Sequence, residues 1–250
     1  MRFGHLIPKQ PQHQPHKHTV PTYGATIQYD KDDNATNLLL KEEKKYVQQV
    51  LGTFLYYGQA AEPTEETMAI IKLFLNHAAS HQDTILTYQA SDMVLIVHSN
   101  ASYLSDPKAR SHAGGHFFMS SDVTNPHNNG AVLNIVQLIK AVMSSTAEAE
   151  LGALYINARE AVPMRQLLTE MGHIQPHTPI QTENSTACGV VNNNIQPRRT
   201  KAMDMRFLWL RCREAQHKFR FYWAPGKSNL GDTGQSIIVL GTTLKNAPPY

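Results

Sequence analysis

The sequence predicts an α/β fold: a mixed five-stranded sheet flanked by helices, behind a short helical lead. Three observations predict it. Between residues 93 and 224 the apolar pattern runs three strands, helix, strand, helix, helix, strand. The run Met93–Val97 is apolar on both faces, as a central strand requires. Hydrophobic residues make up 41% of the 250, enough for a sizeable core, while no apolar run is long enough to span a membrane.

Taken in order, residues 1–25 are rich in Pro, His and Gln, and residues 31–45 are highly charged. Residues 1–42 are therefore expected to be a disordered or extended lead. Its histidines His13, His16 and His18 read as part of a polar tail without fixed geometry. Val47, Val50, Leu51, Phe54, Leu55 and Tyr57 recur at helical spacing, as do Met68, Ile71, Leu75 and Ala79 beyond Pro63. These predict helices over about 43–60 and 64–80 within a helical segment 43–83. His77 and His81 lie four apart on the second helix, but the Glu of a zinc-protease motif is missing between them, so they read as surface histidines.

The α/β domain is placed at 84–232. Thr84–Tyr88 reads as a short strand, and Met93–Val97 as the first long one, ending in the polar His98-Ser99-Asn100. Gly114–Met119 and Ala131–Leu138 complete an antiparallel meander around the turn-rich loop Asp122–Gly130. Ser145-Thr146 followed by Glu148 and Glu150 marks a helix start. Its apolar face runs to Gly172, with a kink or break expected at Pro163. Ile180–Glu183 is a short strand, Ser185–Val191 a helix and Thr200–Lys218 a basic amphipathic helix. On that last helix Met203, Phe207, Leu208 and Leu210 are available to a core. Phe219–Ala224 is the last strand, and 233–250 a tail.

Charge is uneven. Arg198, Arg199, Lys201, Arg206, Arg211, Arg213, Lys218, Arg220 and Lys227 face only Asp204 and Glu214, so 198–227 carries +7 of a total of +3 and the remainder carries −4. Such a segment suits an anionic partner, nucleic acid being the commonest, and equally suits a solvated basic helix. Trp209, Tyr222 and Trp223 offer stacking surfaces, with core packing expected for at least two of them. The chain opens without an apolar signal-peptide stretch, and Cys188 and Cys212 are the only cysteines. An intracellular protein, cytoplasmic or nuclear and not secreted, with reduced thiols and no membrane partner, is expected. The sequons at Asn34, Asn100 and Asn184 are then chance matches.

Four motifs occur in order. His98-Ser99-Asn100-Ala101-Ser102-Tyr103 ends the first long strand, and Ser144-Ser145-Thr146-Ala147-Glu148-Ala149-Glu150-Leu151 opens the long helix. Thr182-Glu183-Asn184-Ser185-Thr186-Ala187 ends the fourth strand, and Arg198-Arg199-Thr200-Lys201-Ala202-Met203-Asp204-Met205-Arg206 opens the basic helix. Together they resemble the ribonuclease H-like region of copia-type LTR retrotransposon reverse transcriptase polyproteins. The resemblance runs from about Tyr46 to Asp232, with 43–83 matching the end of the reverse transcriptase connection.

That resemblance implies a ribonuclease H-like sheet and hydrolysis of the RNA strand of an RNA–DNA hybrid. In the family, four carboxylates hold two Mg²⁺ ions, hard cations that favour charged oxygen donors. The corresponding positions here are Asn100, Glu150, Glu183 and Asp232, so Glu150, Glu183 and Asp232 are the expected metal carboxylates. The nucleic acid is expected along Arg198, Arg199, Lys201, Arg206 and Arg213. Two positions depart from the family. Asn100 stands where the family has Asp, and losing one charge-assisted contact costs roughly 1.5–3 kcal/mol. Glu183 stands where the family has Asp and shifts the carboxylate by about an ångström, worth on the order of a hundredfold in rate. The polymerase Asp-Asp pair is absent. Two readings follow: an impaired Mg²⁺-dependent endonuclease for hybrids, or a non-catalytic nucleic-acid-binding remnant.

Overall fold

The computed structural model describes residues 5–13, 39–53, 65–82, 87–106, 109–195 and 204–231. Described residues up to Gln82 form one compact unit and those from Thr87 onward another. The predicted elements or residues at 54–60, 84–86, 198–203 and 232–250 lie outside the described residues.

In the first unit, α1 (Lys41–Thr53) and α2 (Glu65–Ser80) meet through Val47, Val50, Ile71, Phe74 and Leu75, all buried. Glu43 caps α1 by accepting from the Leu40 N–H at 3.1 Å, which starts the helix two residues before the apolar pattern suggests. The lead segment 5–13 is tied to α2. His5 pairs with Asn76 at 2.7 Å, the Gln12 N–H donates to Ser80 Oγ at 3.0 Å, and the Gln12 carbonyl meets His77 Nδ1 at 3.0 Å. His77 is only 4% exposed, so it is no surface histidine. A segment distant in sequence covers it, which local spacing cannot reveal.

The second unit holds β1 (Val94–Asp106), β2 (Arg110–Ser120), β3 (Ala131–Ile139), α3 (Thr146–Glu170), β4 (Thr178–Thr182), α4 (Ser185–Val191), α5 (Asp204–Ala215) and β5 (Phe219–Trp223). The sheet order is β3-β2-β1-β4-β5. β1, β2 and β3 run antiparallel, whereas β4 is parallel to β1 and β5 to β4, with Val97 opposite Ile180. The predicted mixed five-stranded sheet is therefore present, with Met93–Val97 leading into its central strand. One face carries Leu95, Val97 and Phe117 into the main core with Leu154 of α3 and Leu210 of α5; the other carries a smaller cluster of Val94, Ile96 and Phe118.

Several elements differ from expectation. β1 does not end at His98-Ser99-Asn100 but pairs on with β2, Asn100 opposite Gly114 and Ser102 opposite His112. The ladder satisfies the backbone there whatever the side chains are. Thr87 and Tyr88 are not in a strand. Asn129 bridges both ways to Gln89, accepting from its N–H at 2.9 Å and donating to its carbonyl at 3.0 Å, in place of a ladder. α3 runs unbroken through Pro163, which is exposed, so water can reach the Arg159 carbonyl that loses its donor. α5 stops at Ala215 because His217 turns left-handed (φ 56°) and Lys218 N–H bonds back to the Arg213 carbonyl. Phe207 and Leu210 are buried as expected, but Leu208 is 53% exposed.

Gly115 is required where it stands. Asn157, fully buried on α3, donates to Ser99 Oγ at 2.9 Å and to the Gly114 carbonyl at 2.8 Å. A Cβ on residue 115 would lie 2.1 Å from its Oδ1. Gly115→Ala is expected to destabilise the domain by roughly 1–3 kcal/mol through overpacking. A urea midpoint equal to the parent's would contradict this.

Candidate functional site

The site gathers where the middle of β1, the start of α3 and the end of β4 converge. Ser145 caps α3 by accepting from the Glu148 N–H at 3.2 Å, and Glu148 in return accepts from the Ser144 N–H at 2.9 Å. This reciprocal cap fixes the first turn, so Glu150 points inward. Glu150 is 1% exposed. Its Oε1 accepts from the Ala101 N–H at 3.0 Å and its Oε2 from the Thr182 hydroxyl at 2.9 Å. Burial pushes its carboxyl up to about 8; those two bonds act against the rise, and the nearby Glu183 charge adds to it. Without a cation, this burial favours the neutral acid of Glu150 over its carboxylate.

Asn100 is 3% exposed and its Oδ1 also accepts from the Ala101 N–H, at 2.8 Å. Asn100 and Glu150 thus share one donor. Glu183 precedes the Asn184 side chain that caps α4 through the Ala187 N–H. It is exposed, its carbonyl accepts from Trp223 Nε1 at 2.9 Å, and a Cβ on Gly226 would lie 2.3 Å from its Oε2. Asp232 lies outside the described residues. Its chain neighbours 229–231 dock on β1: Asn229 Nδ2 donates to the Ser99 carbonyl at 2.8 Å, and the Leu230 N–H donates to His98 Nδ1 at 3.1 Å.

Sequence reasoning missed Asn157 and Asn229, which hold this arrangement, and gave no role to His98 and Thr182, which open two of the motifs. Asn157, seven residues beyond Glu150 on the same helix face, is a polar residue in an apolar stripe, and that was its only signal. His98 is 3% exposed and stays neutral, since burial, with the facing His116 adding to it, drops its imidazole to about 3.

The expected Mg²⁺ ions can be tested against these donors. Both Glu150 oxygens already accept from the protein, Asn100 offers a neutral amide, and Glu183 is the remaining described carboxylate. Among the described residues, no three His, Cys, Asp or Glu side chains gather at metal-holding spacing. The described set does not fit two adjacent Mg²⁺ ions, which want charged oxygens.

No protein-family model matches the chain. Over 149 residues, 60% of its length, it is 26% identical to the Retrovirus-related Pol polyprotein from transposon TNT 1-94 of Nicotiana tabacum. The chain is similar to a retrotransposon Pol polyprotein. It spans 11% of that polyprotein's length. Solved structures that resemble the chain include the N-terminal RNase H domain of rv2228c from Mycobacterium tuberculosis, at 8% identity, TM-score 0.40, covering 57% of this chain and 96% of that one. LC11-RNase H1 in complex with an RNA/DNA hybrid gives 9% identity and TM-score 0.41, covering 54% and 88%.

In the second unit the basic segment divides. Arg211 Nε donates to the Val190 carbonyl at 2.9 Å and its guanidinium stacks 4.3 Å from the Phe207 ring, so it braces α4 against α5. Arg220 donates to the Val123 carbonyl. Arg206 and Arg213 are half-buried, over Tyr155 and Trp209 respectively, and these two rings meet edge to face. Lys218 and Lys227 are exposed. Trp209 packs against the core, Tyr222 is half-buried and Trp223 is 51% exposed. Arg198, Arg199 and Lys201 lie outside the described residues. No described helix is long and apolar enough to cross a membrane.

Proposed function

We propose that the ribonuclease H-like domain binds nucleic acid, an RNA–DNA hybrid above all, and cleaves it poorly. The observation that carries this reading is Asn100 beside Glu150: the two share the Ala101 N–H at the place where the resembling family keeps a carboxylate. A neutral amide there and a carboxylic acid already held by two protein donors make a weak cation site. The parent chain is therefore expected to show little or no hybrid cleavage in Mg²⁺ or Mn²⁺. Robust cleavage that vanishes on Glu150→Gln would instead support the reading as an active endonuclease.

Binding rests on the basic segment. Phosphate contacts release counterions and position a protein without reading bases. Arg211 and Arg220 bond to backbone carbonyls and Arg213 donates to Gln216 at 2.9 Å; Arg206, Arg213, Lys218 and Lys227 are the described basic residues of the segment that remain candidates, joined by Arg198, Arg199 and Lys201. If about four engage, log K against log[salt] should slope near −3 to −4 for a duplex. Changing Arg199, Arg206 and Arg213 together to Gln removes three charges, two of them over Tyr155 and Trp209, while keeping polar side chains. The slope should then flatten by about 2–3 units. An unchanged affinity and slope would make the helix a solvated face.

A further inference from the structure

The mouth of the candidate site carries an aromatic ring that the basic-segment reading does not use. Trp223 closes β5 directly opposite Thr182, the residue whose hydroxyl bonds Glu150, and it is 51% exposed. The ring and the chain beside it are both fixed. Trp223 Nε1 donates to the Glu183 carbonyl at 2.9 Å, and the Ala224 N–H donates to the Thr182 carbonyl at 3.1 Å. The indole is thus held against the backbone that bears Glu183, and its single polar atom is already used. What it presents to solvent is apolar ring surface.

The other two aromatic residues of this region are occupied. Trp209 packs against the core, with Arg213 over its ring and Tyr155 against it edge to face. Tyr222 is half-buried, with Arg220 over its ring. Only Trp223 keeps its ring open. Lys227 stands exposed on the short turn Gly226–Ser228 that follows, and that turn passes close to the Glu183 carboxylate, since a Cβ on Gly226 would lie 2.3 Å from Glu183 Oε2. An open ring and a cation therefore flank the one exposed carboxylate of the site. The cation suits the phosphates that accompany any base stacked on the ring.

Inside a duplex each base face is covered by its neighbours, so a ring fixed in place finds nothing there to stack on. An unpaired base offers its faces freely, and aromatic side chains are the usual platforms for single strands. We propose that Trp223 is the platform for an unpaired base, so that the domain favours a hybrid with a single-stranded extension over a blunt one. Every base has a π-face, so no sequence preference accompanies it. This rests on the proposal that the domain binds nucleic acid, and adds which form of it is selected and by which residue.

The test titrates the full chain, in buffer free of divalent ions, with a blunt RNA–DNA hybrid and with the same hybrid bearing a short oligothymidine extension. Anisotropy of a labelled strand gives affinity, and tryptophan fluorescence gives contact with the ring. The chain has two tryptophans, and Trp209 is packed against the core, so quenching reports Trp223. The extension is expected to tighten binding about fivefold or more and to quench the emission. Trp223→Leu should bring the extended hybrid down to the affinity of the blunt one. Trp223→Phe loses the bond to the Glu183 carbonyl but keeps a ring, so it should retain most of the gain; a merely structural role for Trp223 would lose it. If Trp223→Leu melts too early to assay, the parent's quenching and Trp223→Phe carry the test. Equal affinity for both hybrids without quenching, or a gain that survives Trp223→Leu, would overturn the platform and leave the basic segment as the binding surface. Binding to neither hybrid would overturn the nucleic-acid reading itself, and the platform with it.

Discussion

Asn100→Asp combined with Glu183→Asp is expected to raise Mg²⁺-dependent hybrid cleavage about a hundredfold or more over the parent chain. The first change restores a charge beside Glu150, where the Ala101 N–H is already shared. The second draws the carboxylate back by about one methylene, and placement errors of an ångström are worth on the order of a hundredfold. Gly226, lacking a Cβ, leaves the space beside this carboxylate open. Asn100→Asp alone should give the larger share, since charge precedes placement. If the double variant melts like the parent and still cleaves nothing, the motif positions do not form a latent catalytic centre.

The second large effect concerns pH in buffer free of divalent ions. Glu150 is pushed from 4.5 up to about 8 by burial, so the folded chain holds a proton there that the unfolded chain has released. Its contribution is fully present below about 4.5 and is lost as pH rises towards 8. His98 does the reverse. Burial drops it from 6.5 to about 3, so its contribution is present above 6.5 and is lost as pH falls towards 3. Between 4.5 and 6.5 the two slopes oppose, which predicts a plateau of maximal stability. Above it stability falls by up to roughly 1.4 kcal/mol per pH unit, and below it by a similar amount. Glu150→Gln keeps both partners, accepting from Ala101 and donating to Thr182, and should abolish the alkaline fall. Urea midpoints measured from about pH 4 to 8.5 check this; a variant profile parallel to the parent's on the alkaline side of the plateau would sink the assignment.

How much of this was legible in the sequence depended on where each cause lies. Leu95 and Val97 face one core, Val94 and Ile96 another, so β1 announces itself as an uninterrupted apolar run. Its continuation through Ser99–Asp106 does not, because those residues are strand only through pairing with β2. The helix start at Ser145 is local and was read directly, whereas the equally local Asn184 cap was not. Pro163 misled because its exposure, which makes it harmless, is a property of the packed helix. Of the site, Asn100, Glu150 and Glu183 were visible as motif positions. Thr182, Asn157 and Asn229 were not, since each acts on a partner at least 32 residues away. The burial of His77 beneath the lead segment belongs to the same class.

The place of β1 between β2 and β4 has a consequence for the growing polypeptide. One edge of β1 pairs with β2, the strand that follows it almost at once. The other waits for β4, some eighty residues later along the chain, where Val97 pairs with Ile180 and His98 with Gln181. A ribosome-bound intermediate ending within α3 would therefore display an open, strongly apolar strand edge. Such an edge invites pairing with a neighbouring chain. Emergence of β4 closes that window, so slow translation between residues 120 and 178 should promote aggregation in a way that no property of the finished fold would reveal.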